Sequence, residues 1–133
     1  MNNCIFCKIV RGEIPTEKIY ENDNFFSVPD AYPVFEGHTL VISKKHFDTI
    51  LDLPSSLGTD LLDAIKKTTL KVIEQFNAEG VNVNNNFKEA AGQIVNHFHV
   101  HIIPRKKADN AIIKFIDKDS KESVELRDKG SLK

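Results

Sequence analysis

This chain is short of three things: an excess of charge of one sign, a long apolar run, and cysteine. Lysine and arginine number 18 against 19 aspartate and glutamate, a formal net charge of −1. Nothing in that balance marks a nucleic-acid groove or a membrane surface. The apolar runs fall well below the ~20 residues that a bilayer-spanning helix needs. The opening Met1-Asn2-Asn3-Cys4 lacks the charged-then-apolar pattern of a secretory leader. Two cysteines in 133 residues do not make a disulfide framework, and no segment repeats. A single soluble domain, expected to be cytoplasmic, is what these shortages leave. With 41% hydrophobic residues it has material for a real core.

What is present concentrates in one stretch, His97-Phe98-His99-Val100-His101-Ile102-Ile103. Side chains alternate across a strand, so the three imidazoles would share one face while Phe98, Val100 and Ile102 pack on the other. A helix would scatter the histidines around its circumference. Pro104 is expected to end the strand, because it cannot donate to the ladder. Such a run can be a metal-chelating tract or a half-exposed strand whose polar face is histidine. As filler it is costly, since histidine has modest strand propensity and a switchable charge.

The rest supplies a frame. Ile5, Phe6, Ile9 and Val10 form one stripe at helical spacing, which predicts a short helix over Cys4 to Arg11 closed by Gly12. Short strands are expected over Lys18 to Glu21 and Phe25 to Val28, with Asn22-Asp23-Asn24 as the turn. Asp30 to Gly37 reads as a loop, and His38 to Ser43 as a strand rich in β-branched residues. Pro54 and Ser55 open the longest helix, expected to reach Glu79 and stop at Gly80. Its buried side would carry Leu57, Leu61, Ile65, Val72 and Phe76, with Lys66, Lys67 and Lys71 solvated. Val81 to Phe87 reads as a strand, and Ala90 to Gln93 as a small, flexible loop able to bring backbone N–H groups to an anion. Residues 1–107 would form the core domain. The charged tail 108–133 would be partly docked, through Ile112, Ile113, Phe115 and Ile116, with Arg127 to Lys133 loosely ordered.

In its residues 97–103 the chain resembles the histidine-triad (HIT) superfamily, whose signature is His-x-His-x-His-x-x with x apolar. Other landmarks agree in order: Cys4-Ile5-Phe6-Cys7-Lys8-Ile9, Gly37 to Ile42, Lys44-Lys45-His46, Asn86, and Ala91-Gly92-Gln93. The likeness runs over about residues 4–105. It implies an α+β fold with an antiparallel sheet of about five strands, one long helix and a short N-terminal helix. It also implies a homodimer in which two sheets join. The implied chemistry is hydrolysis at the α-phosphate of purine nucleoside 5′-phosphoramidates or related conjugates, with a purine nucleotide of AMP or GMP type as ligand and no organic cofactor.

By motif position, His99 would be the nucleophile that carries the nucleotidyl group, and a neutral imidazole suits that role. His101 would contact the α-phosphate and handle the leaving-group proton, and His38 would orient the triad. Asn86 and Gln93 look like phosphate-contacting amides, and the Gly92 region could add backbone N–H groups. Asp30 stands where the family grips the ribose, although turn chemistry beside Pro29 explains it equally well. Ile5, Phe6, Ile9, Val28 and Leu40 would line the base slot, or simply be core.

Cys4-x-x-Cys7 by itself could be a redox pair or two idle thiols. Some branches of the superfamily complete a structural zinc set at positions that are His46 and His97 here, so the resemblance implies Zn²⁺ held by Cys4, Cys7, His46 and His97. There is one departure. Ile94 stands where many phosphoramidase relatives carry a polar side chain, and it can neither donate nor accept a hydrogen bond. A dinucleoside polyphosphate hydrolase and a dimeric nucleotide-binding regulatory module are the competing readings.

Overall fold

A computed structural model describes residues 3–114 and the backbone of 123–126. Helix α1 (Ile5–Val10) starts at Cys4, whose Sγ accepts the Cys7 N–H at 3.5 Å. It ends when Gly12, at φ +77°, turns its N–H onto the Ile9 carbonyl. The expected apolar stripe is narrower than its spacing suggests. Phe6 is buried and Ile9 partly so, while Ile5 and Val10 flank the stripe and lie exposed.

Strands β1 (Tyr20–Glu21) and β2 (Phe25–Pro29) are joined by a turn that Asn22 closes, its Oδ1 accepting the N–H groups of Asn24 and Phe25. β3 (Thr39–Ser43) follows the loop. Helix α2 (Gly58–Phe76) is led in by 3-10 turns over Ile50–Asp52 and Ser55–Leu57. It stops three residues earlier than expected because Asn77 adopts a left-handed conformation (φ 54°, ψ 40°), for which asparagine is among the few tolerant residues. β4 (Gly80–Asn84) and β5 (His99–Arg105) complete an antiparallel sheet in the order β1-β2-β3-β5-β4.

Pro104 does not end β5; it pairs with Val81 inside the strand. The Arg105 carbonyl faces β4, where it accepts the Glu79 N–H at 2.9 Å, so the Pro104 nitrogen one residue earlier faces the opposite side. There the β3 ladder has already finished at Thr39–Ile102, and no donor is missed. β6 (Ala111–Lys114) pairs with β7 (Ser123–Leu126) in a separate ribbon. Phe115, Ile116 and Arg127 to Lys133 lie outside the described residues.

The sheet is covered on both faces. Phe25, Val41, Phe98, Val100 and Ile102 meet Ala64 and Val72 of α2. Thr68 is buried at the same contact and donates its hydroxyl to Ser27 at 2.9 Å. Phe26, Val28, Leu40 and Ile42 pack on the other face against Phe6 of α1. Phe98, Val100 and Ile102 thus face α2, and the histidines lie on the α1 side. Among the described residues no helix is long and apolar enough to cross a membrane.

Candidate active site and metal cluster

His99 and His101 are carried by β5, opposite Ile42 and Leu40 of β3. Their rings lie 5.1 Å apart between centroids. His97 stands just before the strand, and Phe6 wedges between it and His99 with edge contacts to both. All three imidazoles are almost wholly buried.

Main-chain partners determine which ring nitrogen carries the proton. His99 Nδ1 lies 2.7 Å from the His97 carbonyl, an acceptor only, so Nδ1–H donates and Nε2 keeps its lone pair. His38 Nδ1 accepts the Val34 N–H at 3.2 Å, which leaves its proton on Nε2. That Nε2–H points to His101 Nδ1 at 2.9 Å, so His101 holds its own proton on Nε2. Burial, which disfavours the charged form, pushes His99 and His38 down and takes His101 to about 3. The cluster is neutral at pH 7, with one nucleophilic nitrogen on His99 and one N–H donor on His101.

The second cluster joins Cys4, Cys7, His46 and His97, whose ligand atoms all lie within 4.8 Å of one another. His97 Nε2–H donates to the Ser43 carbonyl at 2.7 Å and His46 Nε2–H to Asp48 at 2.7 Å, so both Nδ1 lone pairs turn inward. The two Nδ1 atoms are 3.1 Å apart; Cys4 Sγ lies 3.3 Å from His97 Nδ1 and Cys7 Sγ 3.2 Å from His46 Nδ1. A tetrahedral zinc would separate its nitrogens by ~3.3 Å and nitrogen from sulfur by ~3.6 Å. Donor types and spacing fit one ion. Burial holds His97 at about 4, the form that offers a lone pair.

Other expected residues divide. Asn86 reaches the loop between β4 and β5, its Nδ2 3.5 Å from the Gly92 carbonyl. Gln93 is committed elsewhere: its amide donates to the carbonyls of Asp48 (2.6 Å) and Val95 (3.1 Å) and accepts from the Lys88 N–H (2.8 Å). It braces the loop. The N–H groups of Gly92 and Gln93 likewise close on the carbonyls of Glu89 and Lys88, not outward toward an anion. Phe6, Ile9, Val28 and Leu40 share one apolar cluster, whereas Ile5 is 48% exposed and turns to the metal-cluster side beside Ile94. Asp30 points a carboxylate oxygen at His38 Nε2, 3.3 Å away.

Four partners escaped sequence reasoning: Val34, whose N–H meets His38, and Ser43, Asp48 and Asn85, the last donating to the His99 carbonyl at 2.9 Å. Asp48, two residues past His46, carried a faint signal, since metal-ligating histidines commonly donate their other N–H to a carboxylate.

The description "HIT domain" matches residues 11–108. An uncharacterized HIT-like protein of Methanocaldococcus jannaschii is 41% identical over 112 residues, 84% of this chain and 86% of that one. The adenosine 5′-monophosphoramidase HNT1 of Candida albicans is 41% identical, covering 78% of this chain and 71% of its own length. The adenylylsulfatase HINT3 of Arabidopsis thaliana is 37% identical over 81% of this chain and 55% of its length. A crystal structure of a HIT family protein from Bacillus subtilis superposes with a TM-score of 0.76 at 40% identity, covering 80% and 76% of the two chains. A Zn-bound histidine triad family protein of Mycobacterium smegmatis reaches a TM-score of 0.75 at 36% identity, over 80% and 78%. In sequence and in the order and packing of its strands, this chain belongs to the HIT family.

Proposed function

We propose that the protein hydrolyses nucleoside 5′-phosphoramidates at the α-phosphorus through a nucleotidyl-His99 intermediate. The observation that carries this reading is the 2.7 Å bond from His99 Nδ1–H to the His97 carbonyl, which leaves Nε2 as a lone pair in a buried, neutral cluster. His99 Nε2 forms a bond to phosphorus as the bond to the leaving amine breaks, and that amine departs with a proton delivered through His101 Nε2–H. Water then attacks phosphorus and gives a proton back through His101, the P–Nε2 bond breaks, and the nucleoside monophosphate leaves with both histidines as they began. His101, holding its proton on Nε2, is the donor for the phosphoryl oxygens or the leaving group. Asn86 adds an amide near the phosphate, and the cluster of Phe6, Ile9, Val28 and Leu40 supplies the apolar wall for the base.

The names of the relatives support the same bond position with different leaving groups, an amine for HNT1 and sulfate for HINT3. Ile94 offers an amine no polar help, so both substrates belong in the assay. Purified protein should release AMP from adenosine 5′-phosphoramidate or from adenylyl sulfate, and His99→Ala should lose several powers of ten in kcat. A transient mass increase of one AMP should appear in wild type alone. Bound AMP with no turnover of either substrate would sink the hydrolase reading.

We propose further that Cys4, Cys7, His46 and His97 hold a structural Zn²⁺. When bound, zinc clamps α1 to the start of β5 and takes no part in the bond changes.

A further inference from the structure

Asp30 lies where the family resemblance implies a grip on ribose, yet in this structure its carboxylate is turned into the histidine cluster. The Asp30 side chain is 12% exposed, and Oδ2 sits 3.3 Å from His38 Nε2. Its other oxygen, Oδ1, accepts the Tyr32 N–H at 2.9 Å, and its main-chain N–H donates to the His38 carbonyl at 2.9 Å. The carboxylate is therefore held from both ends of the loop. Asp30, His38 and His101 also bring their ligand-type atoms within 4.8 Å of one another, which raises the possibility of a second metal. The Val34 N–H excludes it. A donor on His38 Nδ1 keeps the proton on Nε2, the atom a metal would need bare.

We propose that Asp30 is a positioning residue that acts through His38: it holds the His38 ring so that Nε2–H is directed at His101 Nδ1, which keeps His101 as an Nε2–H donor toward the phosphoryl group. With the tautomer fixed by Val34, a carboxylate beside the protonated nitrogen favours the ring orientation that keeps this N–H in place, as the acid of a catalytic triad orients its imidazole. The His38 Nε2–H is hydrogen-bonded to His101 at 2.9 Å, and Asp30 Oδ2 lies 3.3 Å from the same nitrogen as a charge contact. Asp30 thus steers the ring without taking its proton. Its negative charge also opposes the downward pull of burial on His38.

This inference rests on the hydrolase reading, and the test separates it from ribose binding. The variant is Asp30→Asn, which keeps the Oδ1 acceptor for Tyr32 and removes the acceptor facing His38. Adenosine 5′-phosphoramidate and its 2′,3′-dideoxy analogue are compared. If Asp30 positions His38, the variant loses about tenfold or more in kcat on both substrates. If Asp30 only grips hydroxyls, the loss falls on KM, vanishes with the dideoxy analogue, and the proposal is overturned. In the substrate-free protein, imidazole 15N shifts report tautomers directly. They should show Nε2–H for His38 and His101 in wild type; in Asp30→Asn, Val34 still keeps the His38 proton on Nε2, but the His38 Nε2 shift should move toward that of a weaker hydrogen bond to His101. Unchanged shifts would also overturn the proposal. Asp30→Ser, which keeps the turn acceptor on a shorter arm, should behave as Asp30→Asn does. If wild type turned over neither substrate, the hydrolase reading would fail by itself, and the shifts would still decide whether Asp30 steers His38.

Discussion

At the scale of single residues the site is a set of imidazoles, three of whose protons are assigned by main-chain atoms. The His97 carbonyl, the Val34 N–H and the Ser43 carbonyl each fix one ring. Keeping these rings buried and neutral makes the fold sensitive to acid. His101 is held at about 3, and His38 and His99 are lowered, against an ordinary value of 6.5. Between those values the unfolded chain binds more protons than the folded one, so stability is complete above about 6.5 and falls as pH drops toward 3. Each wholly neutral histidine contributes a slope of about 1.4 kcal/mol per pH unit in that window. Urea unfolding of chelator-treated protein between pH 7.5 and 4.5 should show the midpoint falling below pH 6.5. A flat profile would contradict the assigned charge states. Histidine positions at period 2 were legible in the sequence. Which nitrogen bears each proton was not, because Val34, Ser43 and His97 act there through main-chain atoms, which every residue type carries.

At the scale of elements, the loop before β3 delivers Asp30 and His38, and its closing residue is constrained by helix α2. Gly37 has φ +94°, and a Cβ there would stand 2.6 to 2.9 Å from ring atoms of Phe76. Gly37→Ala combines a left-handed conformation that alanine disfavours with overpacking against that ring, and should cost about 2–4 kcal/mol. Equilibrium urea unfolding measures it; a change below about 0.5 kcal/mol would mean that the loop moves away freely. The sequence marked Gly37 as a loop residue but could not show Phe76 beside it, since 39 positions separate the two. Helix α2 was legible by its leucine and valine spacing. Ala64 and Thr68, both wholly buried under the sheet, were not, because one is small and the other polar. Only the buried hydroxyl of Ser27 explains the threonine. The early helix end at Asn77 and the passage of β5 through Pro104 were missed for a shared reason. Local preference is decided there by conformation and by which side of a strand still has a neighbour.

At the scale of the whole molecule, the candidate metal cluster and the histidines proposed to react share one segment. The His97 ring faces the cysteines while its carbonyl holds His99 Nδ1. Asp48 carries the link further, accepting from His46 through its carboxylate and from Gln93 through its carbonyl. Chelating the metal from purified, zinc-loaded protein should therefore lower the thermal midpoint by more than about 5 °C. Cys4→Ser should show the lower midpoint without chelator and no further drop with it. Protein that takes up no stoichiometric zinc would rule the metal out. β4 is the longer free edge of the sheet, with Val83 exposed on it, and is the natural place for a second sheet to join. Light scattering should return twice the 15.0 kDa chain mass, whereas a monomer at micromolar concentration would refute the dimer implied by the family resemblance.

The sequence alone determined what repeats at short range: the alternating histidines, the amphipathic helix, the turn at Asn22, and the landmarks that point to the family. Tertiary structure alone decided which distant groups meet. It set Asp30 beside His38, drew the cysteines at the start of the first helix to histidines 39 and 93 positions away, and tied the Gln93 amide to the Asp48 carbonyl. The physical reason is range. Strand and helix periodicities are local consequences of backbone geometry, whereas a hydrogen bond between remote residues exists only once packing has brought both partners to within about 3 Å.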